Sequence, residues 1–196
     1  MNEDKKYGII TNRPIILIAN SRWYLHHYRS LLMKKISLNN KLFTMSPIDK
    51  NSKELSEDSI YIPLRIKRSN DLNPFSLIFS FLKMLLIIRS IKPKLIHSHT
   101  LKTNLLAVVV SSLYGLPCVL SFAGMGRLSK SKGINLFLFK KIIYFIYNFS
   151  IRKRDTRWTW KKTTTRSFLI FQNPIDQEFF QRYIPNNAVF NSKLIP

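Results

Sequence analysis

Short β-branched runs alternating with longer helical patterns constrain this chain more than any other feature of it. Pro14–Asn20 (PIILIAN) reads as a buried strand ending in a polar turn. Arg22–Leu38 follows with helical spacing, since Tyr24, Tyr28, Leu31, Leu32 and Lys35 step by three and four. Lys41–Ser46 and Ser59–Leu64 are two further short strands, with the polar, aperiodic loop Asp49–Asp58 between them. Asn73 is placed to cap a helix with Pro74 at its first position, running to about Ile91 and stopping before Pro93. Lys94–His99 is the next strand and Thr103–Tyr114 the next helix, closed by Gly115. Pro117–Ala123 is a strand that ends in the turn Gly124-Met125-Gly126. Ser167–Gln172, the helix Pro174–Tyr183 and a last short strand within Ala188–Ile195 complete the pattern. Strand followed by helix, repeated about six times, predicts an α/β fold: a Rossmann-like parallel sheet flanked by helices on both faces, in a single domain. Residues 1–13 form a polar tail ahead of it. In such a sheet the ligand-binding loops gather at the C-terminal ends of the strands.

At 196 residues the chain has room for one ordinary domain, and 45% hydrophobic with 21% charged residues describes a globular protein. Its formal net charge of +22 calls for an anionic neighbour such as nucleic acid, an anionic lipid surface or a phosphorylated substrate. An AT-rich genome is the competing, bland source of so many Lys codons. The one cysteine, Cys118, excludes an internal disulfide and a cysteine-based metal site, which fits a reducing compartment. The N-terminus lacks the apolar stretch of a secretion signal. Two very apolar segments, Phe75–Ile91 and Ile134–Ile151, are interrupted by Lys83 and Arg89 and by Lys140–Lys141, so neither reads as a membrane span. The expectation is a cytoplasmic protein, peripheral on the inner face of the plasma membrane.

The informative positions follow the strands. Asn20, Ser21 and Arg22 come after the first, with His26 and His27 one turn into the helix; His97, Ser98, His99, Thr100 and Lys102 come around the end of the fourth. Gly124, Gly126 and Arg127 follow the fifth, and Gln172 and Asn173 the sixth. His97 and His99 have strand spacing and should share a face. His97 reads first as a buried, hydrogen-bonded strand residue, whereas His99, closer to the strand end, reads equally as that or as a hydrogen-bonding contact to substrate. No metal site is expected, because His26 and His27 are adjacent and a helix splays them by roughly 100°. Gly124-x-Gly126 with Arg127 permits close backbone approach and supplies a cation, but it lacks the third glycine of a dinucleotide fingerprint and follows the wrong strand. No G-x-x-x-x-G-K-[ST] loop, no G-x-S-x-G elbow and no pair of carboxylates suited to a glycosidase occurs. A catalytic residue cannot be assigned.

The segment Ile134–Arg154 combines Phe, Tyr and Ile with Lys140, Lys141, Arg152, Lys153 and Arg154. It reads either as a core helix with a solvated basic end or as an interfacial element meeting anionic head groups through those five cations. Arg152–Arg166, basic, aromatic and poor in aliphatics, reads as a surface excursion. Trp158 and Trp160 lie among its cations, yet no nucleic-acid-binding module is recognisable and nucleic acid is disfavoured as a partner.

Three stretches together resemble the N-terminal domain of family 4 glycosyltransferases, of the GT-B fold. They are His97-Ser-His-Thr-Leu-Lys-Thr-Asn-Leu-Leu-Ala107, Tyr114-Gly-Leu-Pro117 with Ser121-Phe-Ala-Gly-Met-Gly-Arg127, and Phe171-Gln-Asn-Pro-Ile-Asp176. The match covers about residues 14–196, in the family's order and spacing. The resemblance implies an acceptor-side half of an enzyme that moves a sugar from a nucleotide-sugar to a glycan acceptor, lipid-linked or oligosaccharide, in bacterial surface polysaccharide synthesis. It implies no cofactor and no metal, helix dipoles and cations stabilising the leaving diphosphate. The nucleotide-sugar is a co-substrate held mainly by a C-terminal donor domain. It also implies substrate contacts from Asn20, Arg22, His99, Lys102, Asn104, Gly124, Gly126 and Arg127, with Lys102 and Arg127 meeting phosphate. Many members carry a histidine where this chain has Ala123, so that role does not transfer. The family continues past the equivalent of Lys193-Leu-Ile-Pro196 into the donor domain. The expectation is therefore a truncated product, inactive alone, or one subunit of a split enzyme partnered by a separate donor-domain chain. A non-catalytic basic protein of the membrane surface is the alternative.

Overall fold

Each short apolar run becomes a strand of one parallel sheet in the computed structural model, which describes residues 14–48, 59–64, 74–122, 137, 141, 142, 144, 145, 167–182 and 191–195. The strands are β1 (Ile15–Ile18), β2 (Leu42–Ser46), β3 (Ser59–Pro63), β4 (Leu95–His99), β5 (Cys118–Phe122), β6 (Ser167–Phe171) and β7 (Asn191–Leu194). The helices described in full are α1 (Arg22–Tyr28), α2 (Ser30–Ser37), α3 (Pro74–Ile91), α4 (Leu101–Tyr114) and α5 (Pro174–Gln181). The strand order is β3-β2-β1-β4-β5-β6-β7, every neighbouring pair parallel.

Strand β1 shows why the sheet needs helices on both sides. All four of its residues are buried, and alternate ones enter different cores. Ile16 and Ile18 pack with Met84 and Ile88 of α3, with Ala107, Val108 and Val110 of α4, and with Phe179 and Phe180 of α5. Ile15 and Leu17 pack instead with Leu25 of α1 and Met33 of α2. The helix ends follow local chemistry. Gly115 closes α4 in the left-handed region at φ 64°, where a Cβ is costly. Asn173 opens α5: its side chain accepts from the Asp176 backbone N–H at 2.7 Å, and Pro174 fills the first turn. The Gln-Asn-Pro-Ile-Asp stretch is thus, in part, a helix cap.

Two elements differ from the sequence expectation. The continuous helix expected over Arg22–Leu38 is two helices, broken at Arg29, whose backbone leaves helical geometry at φ −128°, ψ 7°. Arg29 N–H still donates to the Leu25 carbonyl and its own carbonyl accepts from Met33, so the break forfeits no backbone bond at that residue. Helix α4 begins at Leu101 rather than Thr103, immediately behind the end of β4. The glycine turn 124–126 and the basic stretch 152–166 lie outside the described residues.

Candidate site at the switch between β1 and β4

Strand β1 turns to β2 on one side and β4 on the other, pairing Ile18 with Ser98. At this switch in strand order the connections leave in opposite directions, the arrangement that in open α/β sheets places a ligand crevice at the strand ends. Asn20 and Ser21 leave β1 there; His99 and Thr100 leave β4. Ser21 caps α1, its hydroxyl accepting from Tyr24 N–H at 3.1 Å, which starts the helix within one residue of the crevice and leaves Asn20 half-buried at its lip.

On the α1–α2 face of the sheet, the strand residues change character across the switch. Beneath α1 they are Ile15, Leu17 and Ala19. On β4 and β5 they become His97, His99 and Ser121, all buried. The two imidazoles lie side by side with centroids 4.3 Å apart, as period-two spacing requires. His97 Nε2 and Ser121 Oγ are hydrogen-bonded at 2.9 Å. Arg29, from the break between α1 and α2, reaches across to donate from Nε to His99 Nδ1 at 3.2 Å and from Nη2 to the Tyr24 hydroxyl at 2.8 Å. The Tyr24 ring stands 5.8 Å from that of His99. His99 Nε2 is buried with no hydrogen-bond partner among the described residues.

Burial, and secondarily the Arg29 guanidinium, pushes the His97 imidazole down from 6.5 to about 4. Burial also holds His99 well below its usual value, reinforced by His97 and Arg29. Both rings are therefore neutral near pH 7 and offer hydrogen bonds rather than charge. Among the described residues no group of three or more His, Cys, Asp or Glu is arranged to hold a metal ion. The Cys118 thiol, buried against the other core, is raised to about 12 by burial, with Ser111 opposing, and is chemically quiet.

The β4–α4 turn is braced from below. Ser121 carbonyl accepts from Thr100 N–H at 3.2 Å and from Asn104 Nδ2 at 2.9 Å, occupying both lone pairs. Thr103 hydroxyl donates to the His99 carbonyl. Thr100 itself sits at φ 76°, ψ 153°, a region that only glycine enters freely.

These contacts sort the expected site residues. Asn20 is half-buried at the end of β1, and His99 is buried at the end of the adjacent β4. Asn104, expected to line it, is fully buried beneath the turn and acts as a brace. Arg22 is drawn to the other side of β1, where its guanidinium lies 4.6 Å over the ring of Tyr61 on β3. Lys102 is half-buried in the first turn of α4. Gly124, Gly126 and Arg127 lie outside the described residues, as do Lys140, Arg152, Lys153 and Arg154. Lys141 is exposed and holds its ammonium 4.6 Å from the Phe137 ring. Sequence reasoning passed over Arg29 and Tyr24. Tyr24 was visible only as one step of a helical stripe, and nothing in the spacing marked Arg29 as a break.

Residues 15–156 match the family model described as glycosyl transferase 4-like. No curated protein sequence matches the chain. Among solved structures, sucrose-phosphate synthase from Thermosynechococcus elongatus is similar with a TM-score of 0.61 and 12% identity, over 94% of this chain and 48% of that one. A shorter chain of the same enzyme gives a TM-score of 0.60 at 12% identity, over 94% of this chain and 88% of that one. MurG of Acinetobacter baumannii is similar with a TM-score of 0.52 and 9% identity, over 93% and 44% of the two chains. UDP-N-acetylglucosamine 2-epimerase from Rickettsia bellii gives 0.57 and 10%, over 92% and 44%. The chain thus spans about half the length of these longer proteins. At such identities the likeness is one of fold, and the fold serves an epimerase as well as transferases.

Proposed function

The chain belongs to the glycosyl transferase 4-like family, and from that premise we propose that it is the acceptor-binding half of a glycosyltransferase. The sugar comes from a nucleotide-sugar whose binding falls mainly to a second, donor-type domain, on the same polypeptide or on a separate chain. The acceptor is a lipid-linked glycan of a bacterial surface polysaccharide. One observation supports this reading above the rest: Arg29 reaches from the α1–α2 break to His99 at the switch in strand order. A polar cluster of Tyr24, Arg29, His97 and His99 thereby forms at the end of β4, toward the edge where α/β sheets take ligands. Neutral imidazole and phenol groups suit sugar hydroxyls. Lys102, in the first turn of α4, is the cation we assign to an acceptor phosphate. The reading is tested by titrating the purified chain with a polyprenyl-diphosphate-linked sugar and measuring binding. His99→Ala should weaken that binding about tenfold, the worth of one buried hydrogen bond. Wild-type protein that fails to bind any lipid-linked glycan sinks the acceptor role. Turnover of a nucleotide-sugar by the 196-residue chain alone would sink the division of labour.

A peripheral membrane role is favoured by α3. Phe75, Ile78, Phe79, Leu82 and Leu86 fall within an arc of about 100° at 100° per residue, and all five are exposed, Phe75 by 81% and Leu86 by 71%. Arg89 continues the same stripe, with exposed Lys92 and Lys94 just beyond. An apolar stripe ending in cations suits a helix lying in the head-group region of an anionic leaflet. Among the described residues no helix is long and apolar enough to cross a membrane. Co-sedimentation with phosphatidylglycerol vesicles, weakening as salt is raised, is the expected result. Equal binding to phosphatidylcholine vesicles would remove the electrostatic part of this reading.

A further inference from the structure

We propose that Arg29 is a positioning residue that fixes His99 in a single tautomer, so that the ring presents one Nε2–H donor to an oxygen acceptor in the crevice. The argument starts from what each atom can do. Guanidinium Nε carries a proton that proteins do not remove, so it can only donate. It lies 3.2 Å from His99 Nδ1, which must therefore accept and cannot itself carry hydrogen. A neutral imidazole with a bare Nδ1 has its proton on Nε2. A doubly protonated ring would set an N–H against the guanidinium N–H, with two positive charges in contact. Arg29 is in turn anchored by the Tyr24 hydroxyl at 2.8 Å and the Tyr28 carbonyl at 3.2 Å, so the donor is held in place from three sides.

The consequence lies on the other nitrogen. His99 is 1% exposed and its Nε2 has no hydrogen-bond partner among the described residues. A buried donor left unpaired is costly, and such a group calls for a partner. Since that atom is a donor, the atom that completes it must be an acceptor: a hydroxyl, ether or phosphate oxygen, not an ammonium. Among the described residues the groups facing the ring are His97 beside it on β4, Tyr24 on α1 and Arg29, with no carboxylate among them. The state of the ring follows from this geometry alone. Only the assignment of the oxygen to a glycan acceptor rests on the proposed function, and a failure of acceptor binding leaves the tautomer claim standing.

The test is nitrogen-15 NMR of the four histidine rings in the full, ligand-free chain, with His99 assigned by the signals lost in His99→Asn. The expected spectrum has His99 Nδ1 unprotonated and Nε2 protonated from pH 6 to 8, with a coupling through the hydrogen bond to Arg29 Nε. Arg29→Met should abolish that coupling and move the Nδ1 resonance toward the protonated position as both tautomers become populated. Arg29→Lys, which restores a donor, should move it back. A wild-type ring protonated on Nδ1 overturns the proposal, and so does an Arg29→Met spectrum unchanged at His99. If Arg29→Met does not fold, the wild-type coupling and proton position decide alone.

Discussion

Beneath α1 and α2 the sheet turns polar as it passes from β1 to β4, while on its other side α3 carries large apolar residues outward. The two regions break the usual inside–outside rule in opposite directions. Parallel strands covered on both faces ordinarily present near-continuous aliphatic side chains. His97, His99 and Ser121 interrupt that run and are held there by one another, by Arg29 and by the brace on Ser121. Helix α4, which shares a core with α3, buries Leu106, Ala107, Val108 and Val110 and pins itself to its neighbour through Tyr114, whose hydroxyl donates to the Leu85 carbonyl at 3.0 Å. Helix α3 is as apolar in sequence, yet Phe75, Ile78, Phe79, Leu82 and Leu86 on its other side are exposed. On the proposed function the buried polar strip takes a polar ligand, and the exposed apolar stripe takes a lipid phase.

The contrast breaks most readily at the two helices. Val110 is fully buried, so Val110→Asp leaves an unpaired carboxylate in the core, at a cost of about 3–5 kcal/mol or more. Against a total stability of about 5–15 kcal/mol, thermal unfolding should lose most of its cooperativity or move to a much lower midpoint. Leu82→Asp on the outer face of α3, 53% exposed, should leave the melting midpoint nearly unchanged. Equal damage from both would mean that the α3 stripe is packed after all.

Acid should find the polar strip next. The His97 imidazole is lowered by burial and by Arg29 from 6.5 to about 4. Between those values the unfolded chain binds the proton and the folded chain does not, so stability rises with pH through the window and is fully present above it. At about 1.4 kcal/mol per pH unit the loss on going from pH 6.5 to 4 amounts to about 3 kcal/mol from this ring, with His99 acting in the same direction. Chemical denaturation at several pH values measures it. His97→Gln, which keeps a hydrogen bond to Ser121 within reach, should flatten the acid limb; an unchanged slope would show that other groups carry it.

A smaller effect separates the membrane reading from a merely exposed helix. Leu82→Glu with Leu86→Glu removes two apolar contacts and adds two charges repelled by an anionic leaflet. Partition onto phosphatidylglycerol vesicles should fall at least about tenfold, or about 1.4 kcal/mol, with the fold intact by circular dichroism. Undiminished binding would move the lipid contact away from α3.

How far the sequence anticipated all this depends on what kind of signal each element leaves. Strands announced themselves, because runs such as PIILIAN and PCVLSFA lie between turn residues, and a period of two put His97 and His99 on one face before any coordinates. Gly115 and the Asn173–Pro174 pair marked helix ends through their own backbone chemistry. Arg29 left no mark: the break contains neither Gly nor Pro, the stripe of Tyr24, Tyr28 and Leu31 runs straight across it, and its side chain meets a strand distant in sequence. The outer face of α3 was hidden differently. When nearly every position is apolar the helical period vanishes, and only packing decides which side is covered. Asn104 was legible as a site residue only from its motif; its fully buried Nδ2 donates to the Ser121 carbonyl, a brace that the spacing did not reveal.

The smallest predicted effect concerns the turn that carries His99. Thr100 is a β-branched residue at φ 76°, ψ 153°, and holding it there costs on the order of 1–3 kcal/mol. Thr100→Gly relieves that strain but returns about 0.5–1 kcal/mol through the freer unfolded chain, and it gives up the hydroxyl contact with Thr103 at 3.2 Å. The net expectation is a gain of about 1 kcal/mol or less in urea denaturation, with the His99 ring signals unmoved. The sign matters more than the size. A gain would mean that the polar strip is kept at the expense of stability, as a binding edge is, whereas nothing comparable is found among the described residues of α3. A loss above about 1 kcal/mol would mean that the Thr100–Thr103 contact outweighs the strain, and the turn would then be a structural joint with no reason to be read as part of a site.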